Sequence, residues 1–188
     1  MQPPVVRSMV MEAIGNIDSA IALNSLVYFA VEDPELEIRS RAATLLENGN
    51  QFHPDDVARK VIASNYLRAA NNLTINRAAL LLRRVGSEVP IVHLIDALET
   101  KHTESTGQRP GGMQAGQRNG RIEGFQAGGG PATREVLKLN QGVHAALRVL
   151  SDKDATKRVD FGYVKPSWKA WYIDKYQITE MNVRADDE

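Results

Sequence analysis

The sequence of 188 residues contains no cysteine and carries no net charge. The lack of cysteine excludes disulfide bonds, thiolate metal ligands and cysteine nucleophiles, and it leaves the redox compartment open. The 23 basic side chains are balanced by 23 acidic ones. This balance argues against a protein whose main task is to neutralise phosphates, although it is compatible with a local basic patch.

Long apolar runs are also lacking. No window approaches the roughly 18 uninterrupted apolar residues of a membrane-spanning helix. The N-terminal stretch MQPPVVRSMVMEAIG lacks the basic segment and the apolar run of a signal peptide. We therefore expect no membrane association and a cytoplasmic location by default, or a periplasmic or exported one if the chain is an excised fragment of a secreted protein.

Catalytic and metal-binding patterns are sparse. The four histidines, His53, His93, His102 and His144, are scattered, and none has a second histidine at metal-ligand spacing. His93 and Asp96 are three residues apart, which we interpret as a surface pair rather than a metal site. No glycine-rich segment ends in the Gly-Lys-Ser/Thr of a phosphate-binding loop. The sequence therefore predicts no catalytic residue, no cofactor and no metal.

Three segments repeat one pattern. They share an arginine near the start, small residues one turn later, a Leu/Ile/Val stripe and a glycine towards the end. The segments are residues 6–17 (VRSMVMEAIGNI), 38–49 (IRSRAATLLENG) and 76–87 (NRAALLLRRVGS), with arginines at Arg7, Arg39 and Arg77. A second apolar segment follows each of them. The pattern predicts three two-helix units of about 32 to 38 residues, which must stack to bury their apolar faces.

Helix ends are indicated mainly by proline. The first helix is predicted to begin at Pro3 or Pro4, and the second to stop before Pro34. Pro54, followed by two aspartates, marks the start of the fourth helix, which we expect to continue to about Asn71.

This arrangement resembles the HEAT-repeat family, and the resemblance covers residues 5–102. It implies an all-α, right-handed α-α superhelix of about three helical hairpins, followed by a C-terminal helical extension. In HEAT-type solenoids the second helices line the concave face. The resemblance therefore implies partner-binding positions among the exposed polar residues of those helices, namely Asn24, Tyr28, Asn65, Arg68, His93 and Asp96.

Enzymes with HEAT-like repeats provide alternatives. Di-iron hydroxylases of this type use His-Glu dipeptides, which do not occur in this sequence. Phycobilin lyases share the repeat, but repeat similarity alone does not carry a bilin site. HEAT-like DNA glycosylases present a basic concave groove, against which the zero net charge argues. A lyase-type or glycosylase-type enzyme is kept as an alternative to a binding module.

Glycine is concentrated in one region. Residues 103–131 hold 9 of the 14 glycines and few large apolar side chains, so we predict a flexible linker or loop over residues 103–133. Residues 101–134 carry five basic and two acidic side chains, which resembles glycine- and arginine-rich RNA-binding tails. Because no tandem Arg-Gly-Gly motif occurs, we favour the linker and keep nucleic-acid binding through it as an alternative.

Residues 134–181 are predicted to form C-terminal helices that dock on the repeats. Apolar residues recur at helical spacing from Val136 and Leu139 to Leu150. Six of the eleven aromatic residues then gather between residues 161 and 176. A helix opened at Pro166 would align four of them on one side. These four are Trp168, Trp171, Tyr172 and Tyr176.

The tail has a Phe-Gly-Tyr step and two tryptophans three residues apart, and it looks like the tail that follows helical repeats in some bacterial HEAT-repeat proteins. Its aromatic residues admit two interpretations. They form either a hydrophobic cap over the last repeat or a recognition patch, since Trp and Tyr are enriched at interface hot spots.

We therefore expect a non-enzymatic protein-interaction scaffold. Its expected partner is another protein or a peptide rather than nucleic acid or a membrane. The candidate partner-binding residues are the four aromatic residues of the tail and the six concave positions. Self-association through the exposed solenoid ends is a further expectation, because Val5, Val6, Met9 and Val10 come early in the chain.

Overall fold

The computed structural model describes residues 2–48, 51–105, 117–118, 121–122, 133–152 and 159–176. The helices in these ranges are α1 (Pro4–Gly15), α2 (Ala20–Glu32), α3 (Leu36–Asn48), α4 (Pro54–Ala63), a 3-10 turn (Tyr66–Arg68), α5 (Asn72–Val85), α6 (Ile91–Ala97), α7 (Gln141–Ser151) and α8 (Lys165–Tyr176). The strands are β1 (Glu99–Ser105), β2 (Gln117–Arg118), β3 (Arg121–Ile122) and β4 (Thr133–Leu139). The prediction of a mainly helical chain is confirmed for the described residues.

Local signals account for several helix starts. Pro4 and Pro54 occupy the first positions of α1 and α4, where the missing N–H has no intrahelical partner to lose. The Ser19 hydroxyl accepts a hydrogen bond from the Ala22 N–H at 3.1 Å at the start of α2. The Asn71 side chain does the same at the start of α5. Each of these contacts satisfies a backbone donor that the first helical turn leaves free.

The helices pack in an alternating order. The odd-numbered helices contact one another in sequence, α1 on α3, α3 on α5 and α5 on α7, while α2 packs on α4 and α6 packs on α8. One core of buried residues runs from Met11 of α1 to Trp168 of α8. Among the described residues, none of the helices is both long and apolar enough to cross a membrane.

The three repeat arginines converge on the end of α2. Arg7 forms a bidentate pair with Asp33, at 2.8 Å from Nε to Oδ2 and 3.2 Å from Nη2 to Oδ1. Arg39 Nη1 donates to the backbone carbonyl of Asp33 at 2.6 Å and to that of Pro34 at 2.8 Å. Arg77 Nη1 reaches the Val31 carbonyl at a longer distance, 3.4 Å. Positive charge at a helix C-terminus is favourable because the last carbonyls are unpaired and carry the negative end of the helix dipole.

The prediction that α4 continues to about Asn71 is wrong. The helix ends at Ala63, and Asn65 adopts a left-handed backbone conformation with φ of 57°. Asparagine tolerates this conformation better than most residues. The chain then forms the 3-10 turn, which buries Leu67 and leaves Arg68 exposed.

The predicted helix over Val136 to Leu150 is also only partly correct. The stripe from Val143 to Leu150 lies in α7, whereas Val136 and Leu139 belong to β4, which pairs with β1. The third helical pair likewise ends at Ala97 rather than at His102, which lies in β1. Apolar spacing alone could not separate these elements, because the strand residues happen to fall in phase with the helix that follows.

The chain divides into two compact units. One comprises Met1–Thr100 with Leu139–Glu188, and the other comprises Lys101–Lys138. Within the second unit, β2 and β3 pair antiparallel, with Gln117 opposite Ile122. These strands were not anticipated in the predicted linker, and most of that linker lies outside the described residues.

Candidate binding surface

A cavity of about 250 Å³ opens between the 3-10 turn and α6. Its lining comprises Leu67, Arg68, His93, Asp96, Ala97 and Thr100. Leu94 and Ile95 lie in the core, which leaves His93 and Asp96, three residues apart, on the other side of α6. The structure thus brings together three of the predicted concave positions, Arg68, His93 and Asp96.

The other three predicted concave positions do not line this cavity. Asn24 and Tyr28 are exposed on α2 and lie four residues apart on one face. Asn65 is exposed at the start of the 3-10 turn, where its carbonyl accepts a hydrogen bond from the Arg68 N–H at 2.9 Å. Asn65 therefore has a structural role, since its backbone conformation aims the turn that carries Arg68.

Tyr66 links α2 to the 3-10 turn and was missed in the sequence. Burial raises the pKa of the Tyr66 phenol, and the negative charge of Glu32 and the proximity of Tyr28 raise it further. Only the break in the helix at Asn65 brings Tyr66 to this place, so helical periodicity gave no signal for it.

Helix α8 is attached to α6 by lysines. Lys165 Nζ donates to the carbonyls of Asp96, at 2.7 Å, and Glu99, at 3.1 Å, so it satisfies acceptors at the end of α6. One turn later, Lys169 Nζ lies 3.0 Å from the Asp96 carboxylate. The spacing of Lys165 and Lys169 places both on one face of α8. The spacing alone does not identify the residues that these lysines contact.

The four tail aromatic residues differ in exposure. Trp168 has no exposed surface, and its Nε1 donates to the Gly162 carbonyl at 2.9 Å. Its ring meets that of Trp171 edge to face, with centroids 5.8 Å apart. Trp171 and Tyr172 are partly buried against the core, while Tyr176 is exposed. The complete burial of Trp168 is what the cap interpretation expects for this ring.

The far end of α8 makes a second polar contact. The Tyr176 hydroxyl hydrogen-bonds to the Glu88 carboxylate, which also lies 3.5 Å from Lys175 Nζ. The Lys175 ammonium stands 5.5 Å from the centre of the Trp171 ring and 5.3 Å from that of Tyr176. These distances are within the range of cation–π attraction. Trp171, Tyr172 and Tyr176 thus form a fixed row with some surface still accessible.

The Phe-Gly-Tyr step before α8, residues 161–163, lies in a turn that is held by hydrogen bonds to Asp160. Asp160 accepts hydrogen bonds from His144 at 2.8 Å and from the Gly162 N–H at 2.9 Å, and it lies 3.1 Å from Arg148 Nε. The hydrogen bonds from His144 and Gly162, with the nearby positive charges, lower the pKa of Asp160. Gly162 has φ of 57°, a conformation that side chains disfavour. The step therefore positions Trp168 and fastens the turn to α7.

Four apolar residues of α1 remain exposed. Val5, Val6, Met9 and Val10 all present large fractions of their side chains. A cavity of about 590 Å³ lies between α1 and α3, and Val5 and Met9 line it together with carboxylates that include Glu12. This is the face on which the predicted self-association would take place.

The chemistry available around the smaller cavity is that of hydrogen bonding and charge. Within the described residues, no group of three or more His, Asp or Glu side chains is placed to hold a metal ion. The cavity offers a guanidinium, an imidazole and a carboxylate, so it can bind a polar or charged side chain.

Comparisons with family models, curated proteins and solved structures find no match to this chain.

Proposed function

We propose that the chain is a HEAT-like helical-repeat module that binds a peptide or another protein and does not catalyse a reaction. The order of packing supports a solenoid, since each odd-numbered helix contacts the next and α8 lies on α6 as α7 lies on α5. On this proposal α1 to α6 make up about three hairpins of a right-handed superhelix, and α7 and α8 are the C-terminal extension that docks on α5 and α6.

The observation that carries the binding proposal is the cavity shared by Arg68, His93 and Asp96. The Asp96 carboxylate is engaged by Lys169 at 3.0 Å. Arg68 is exposed and His93 is half-buried. Neither side chain makes a hydrogen bond or an ion pair with the described part of the chain. The guanidinium and the imidazole are thus available for a ligand, and an acidic side chain or a terminal carboxylate complements them.

The row of Trp171, Tyr172 and Tyr176 supplies apolar surface on the helix that Lys169 ties to the cavity. Partly buried aromatic residues lose little conformational entropy on binding, because packing already restrains them. We therefore propose that the bound peptide combines an acidic group for Arg68 with an apolar side chain for these rings.

A displayed random-peptide library, selected against the full chain, tests this proposal. Selected peptides should be enriched in an acidic residue near an apolar one, and Arg68→Ala should weaken their binding about tenfold or more, as expected for loss of a charge-assisted hydrogen bond. Arg59→Ala is the matched control, because Arg59 is an exposed arginine of α4 that pairs at 3.3 Å with Asp56. Circular dichroism melting should show that both variants fold.

Two results would contradict the proposal. Equal binding of the selected peptides by Arg68→Ala and by the parent would move the site elsewhere. Failure to select any peptide, together with oligonucleotide binding whose affinity falls steeply with salt, would favour the nucleic-acid alternative.

A further inference from the structure

A third cavity, of about 200 Å³, lies between α3 and α5 and is rich in arginine. Arg39 of α3 lines it with Arg77, Arg83 and Arg84 of α5, and among the described side chains that line it none is acidic. Arg77 and Arg84 are seven residues apart, which places them on the same face of α5. Two helices from different repeats thus direct a concentration of positive charge to one place.

The arginines of this cavity differ in how completely their donors are used. Arg84 is well satisfied, because it donates to Glu47 at 2.7 Å and to the Thr44 hydroxyl at 2.9 Å. Arg39 uses only its Nη1 group, on the carbonyls described above. A guanidinium has five N–H donors. Arg39 therefore keeps its Nε and Nη2 donors free of any hydrogen bond to the described residues.

Arg77 is the least satisfied of the four. Its Nη1 makes the single long contact with the Val31 carbonyl, and its Nε is buried with no hydrogen-bond partner in the described part of the chain. A buried donor without a partner costs free energy and occurs infrequently in folded proteins. Arg83 is exposed at the same cavity, and its side chain makes no hydrogen bond to the described residues.

The electrostatics around Arg77 also indicate that the positive charge in this cavity is incompletely balanced. Burial lowers the pKa of Arg77, the positive charge of Arg39 lowers it further, and Glu32 and Asp33 act in the opposite direction. Asp33 is already engaged in its bidentate pair with Arg7. The two guanidinium groups therefore repel each other across a site that contains unused donors, and an anion placed between them would remove the repulsion.

We propose that this cavity binds a phosphate group, held by Arg39, Arg77 and Arg83. Phosphate is favoured because its charge offsets more than one guanidinium, and because its oxygens accept the paired N–H groups of arginine in a bidentate manner. The phosphate comes either from inorganic phosphate or from a phosphorylated side chain, which present the same oxygen atoms to the cavity.

Isothermal titration calorimetry on the full chain, at constant ionic strength, provides the test. Inorganic phosphate and phosphoserine are titrated separately, with chloride as the blank. At least one of the two should bind saturably at one site per chain, with a dissociation constant below about 1 mM, and tighter binding of one of them identifies the source. Arg83→Gln should weaken binding about tenfold or more, and this exposed substitution should leave folding intact.

Two further variants separate the site from general electrostatics. Arg77→Lys keeps the charge but removes the bidentate donors, so it should also weaken phosphate binding. Arg59→Gln removes the same charge outside the cavity and should bind phosphate like the parent. Arg68→Ala should also retain phosphate binding, which distinguishes this site from the proposed peptide site.

The proposal is overturned by equal binding in Arg83→Gln and Arg59→Gln, or by no measurable binding of either ligand at about 10 mM. It is likewise overturned if a single-stranded oligonucleotide binds while phosphate and phosphoserine do not, since the arginines would then belong to an extended nucleic-acid surface.

Discussion

Replacing Asn140 should reveal how strongly the last two helices are joined to the third hairpin. Asn140 is completely buried just before α7. Its Nδ2 donates to the Ala97 carbonyl at 2.8 Å and to the Thr100 hydroxyl at 3.3 Å. Its Oδ1 accepts from Asn72 Nδ2 at 2.6 Å and from Asn76 Nδ2 at 3.1 Å. Asn140→Ala removes all four hydrogen bonds without adding bulk.

The magnitude follows from these partners. Each of the four hydrogen bonds contributes about 0.5 to 1 kcal/mol net, which gives a loss of about 2 to 4 kcal/mol. In the variant, Asn72 Nδ2 still donates to the Thr100 hydroxyl at 2.8 Å, and Asn76 Nδ2 still donates to the Asn72 carbonyl at 2.7 Å. Both amide groups that lose Asn140 therefore keep one hydrogen-bond partner. The Ala97 carbonyl loses its bond inside the core, which adds a desolvation cost. We expect the free energy of unfolding to fall by about 2 to 4 kcal/mol.

Urea unfolding followed by circular dichroism at equilibrium measures this change. Asn24→Ala is the matched control, because Asn24 is an exposed asparagine of α2, and it should alter stability by less than about 0.5 kcal/mol. A double-mutant cycle of Asn140→Ala with Asn76→Ala should show a coupling energy of about 0.5 kcal/mol or more, since the two side chains share a hydrogen bond. A loss below about 1 kcal/mol for Asn140→Ala, or independent effects of the two changes, would refute the reasoning.

Three other substitutions have expected outcomes. Trp168→Ala should lower the free energy of unfolding by about 3 to 5 kcal/mol in a urea titration, and a loss below about 1 kcal/mol would show that the ring is not core. Arg39→Ala should cost about 1 to 3 kcal/mol in the same assay, against a change within about 0.5 kcal/mol for Arg59→Ala; equal losses would contradict the role assigned to the repeat arginine. Asp160→Asn tests a pH effect. Because the folded pKa of Asp160 lies below the unfolded value of about 3.9, its ionised form stabilises the fold above that value, and this contribution is lost as the pH falls through the folded pKa. The stability difference between parent and Asp160→Asn should therefore shrink between pH 7 and pH 3, and a difference independent of pH would exclude this linkage.

Features encoded by neighbouring residues could be predicted from the sequence. The starts of α1 and α4 at Pro4 and Pro54 follow from proline geometry, and the buried stripe of α3 follows from its helical spacing. The end of α4 could not be predicted in the same way, because Asn65 changes the chain direction through its own backbone conformation while the apolar spacing continues to Leu67.

The candidate sites depend on contacts between distant residues. The resemblance to HEAT repeats implied Arg68, His93 and Asp96 one by one. Their shared cavity requires the 3-10 turn to bring Arg68 to α6. The contact between Lys169 and Asp96 spans many residues, so spacing within α8 cannot identify its partner. Burial of Trp168 follows from its bond to Gly162, which depends on the turn before α8.

The connection between α6 and α7 has a consequence for engineering. The Asn140 N–H donates to the Leu98 carbonyl at 2.9 Å, so the chain returns to the helical unit next to the point where it left. When the two ends of an excursion are pinned together, a doubling of its length costs only about 0.6 kcal/mol in closure entropy. We therefore expect that residues 101–138 can be replaced by a shorter turn, a tag or a foreign loop. The hydrogen bonds among Asn72, Asn76 and Asn140 would keep the helices joined.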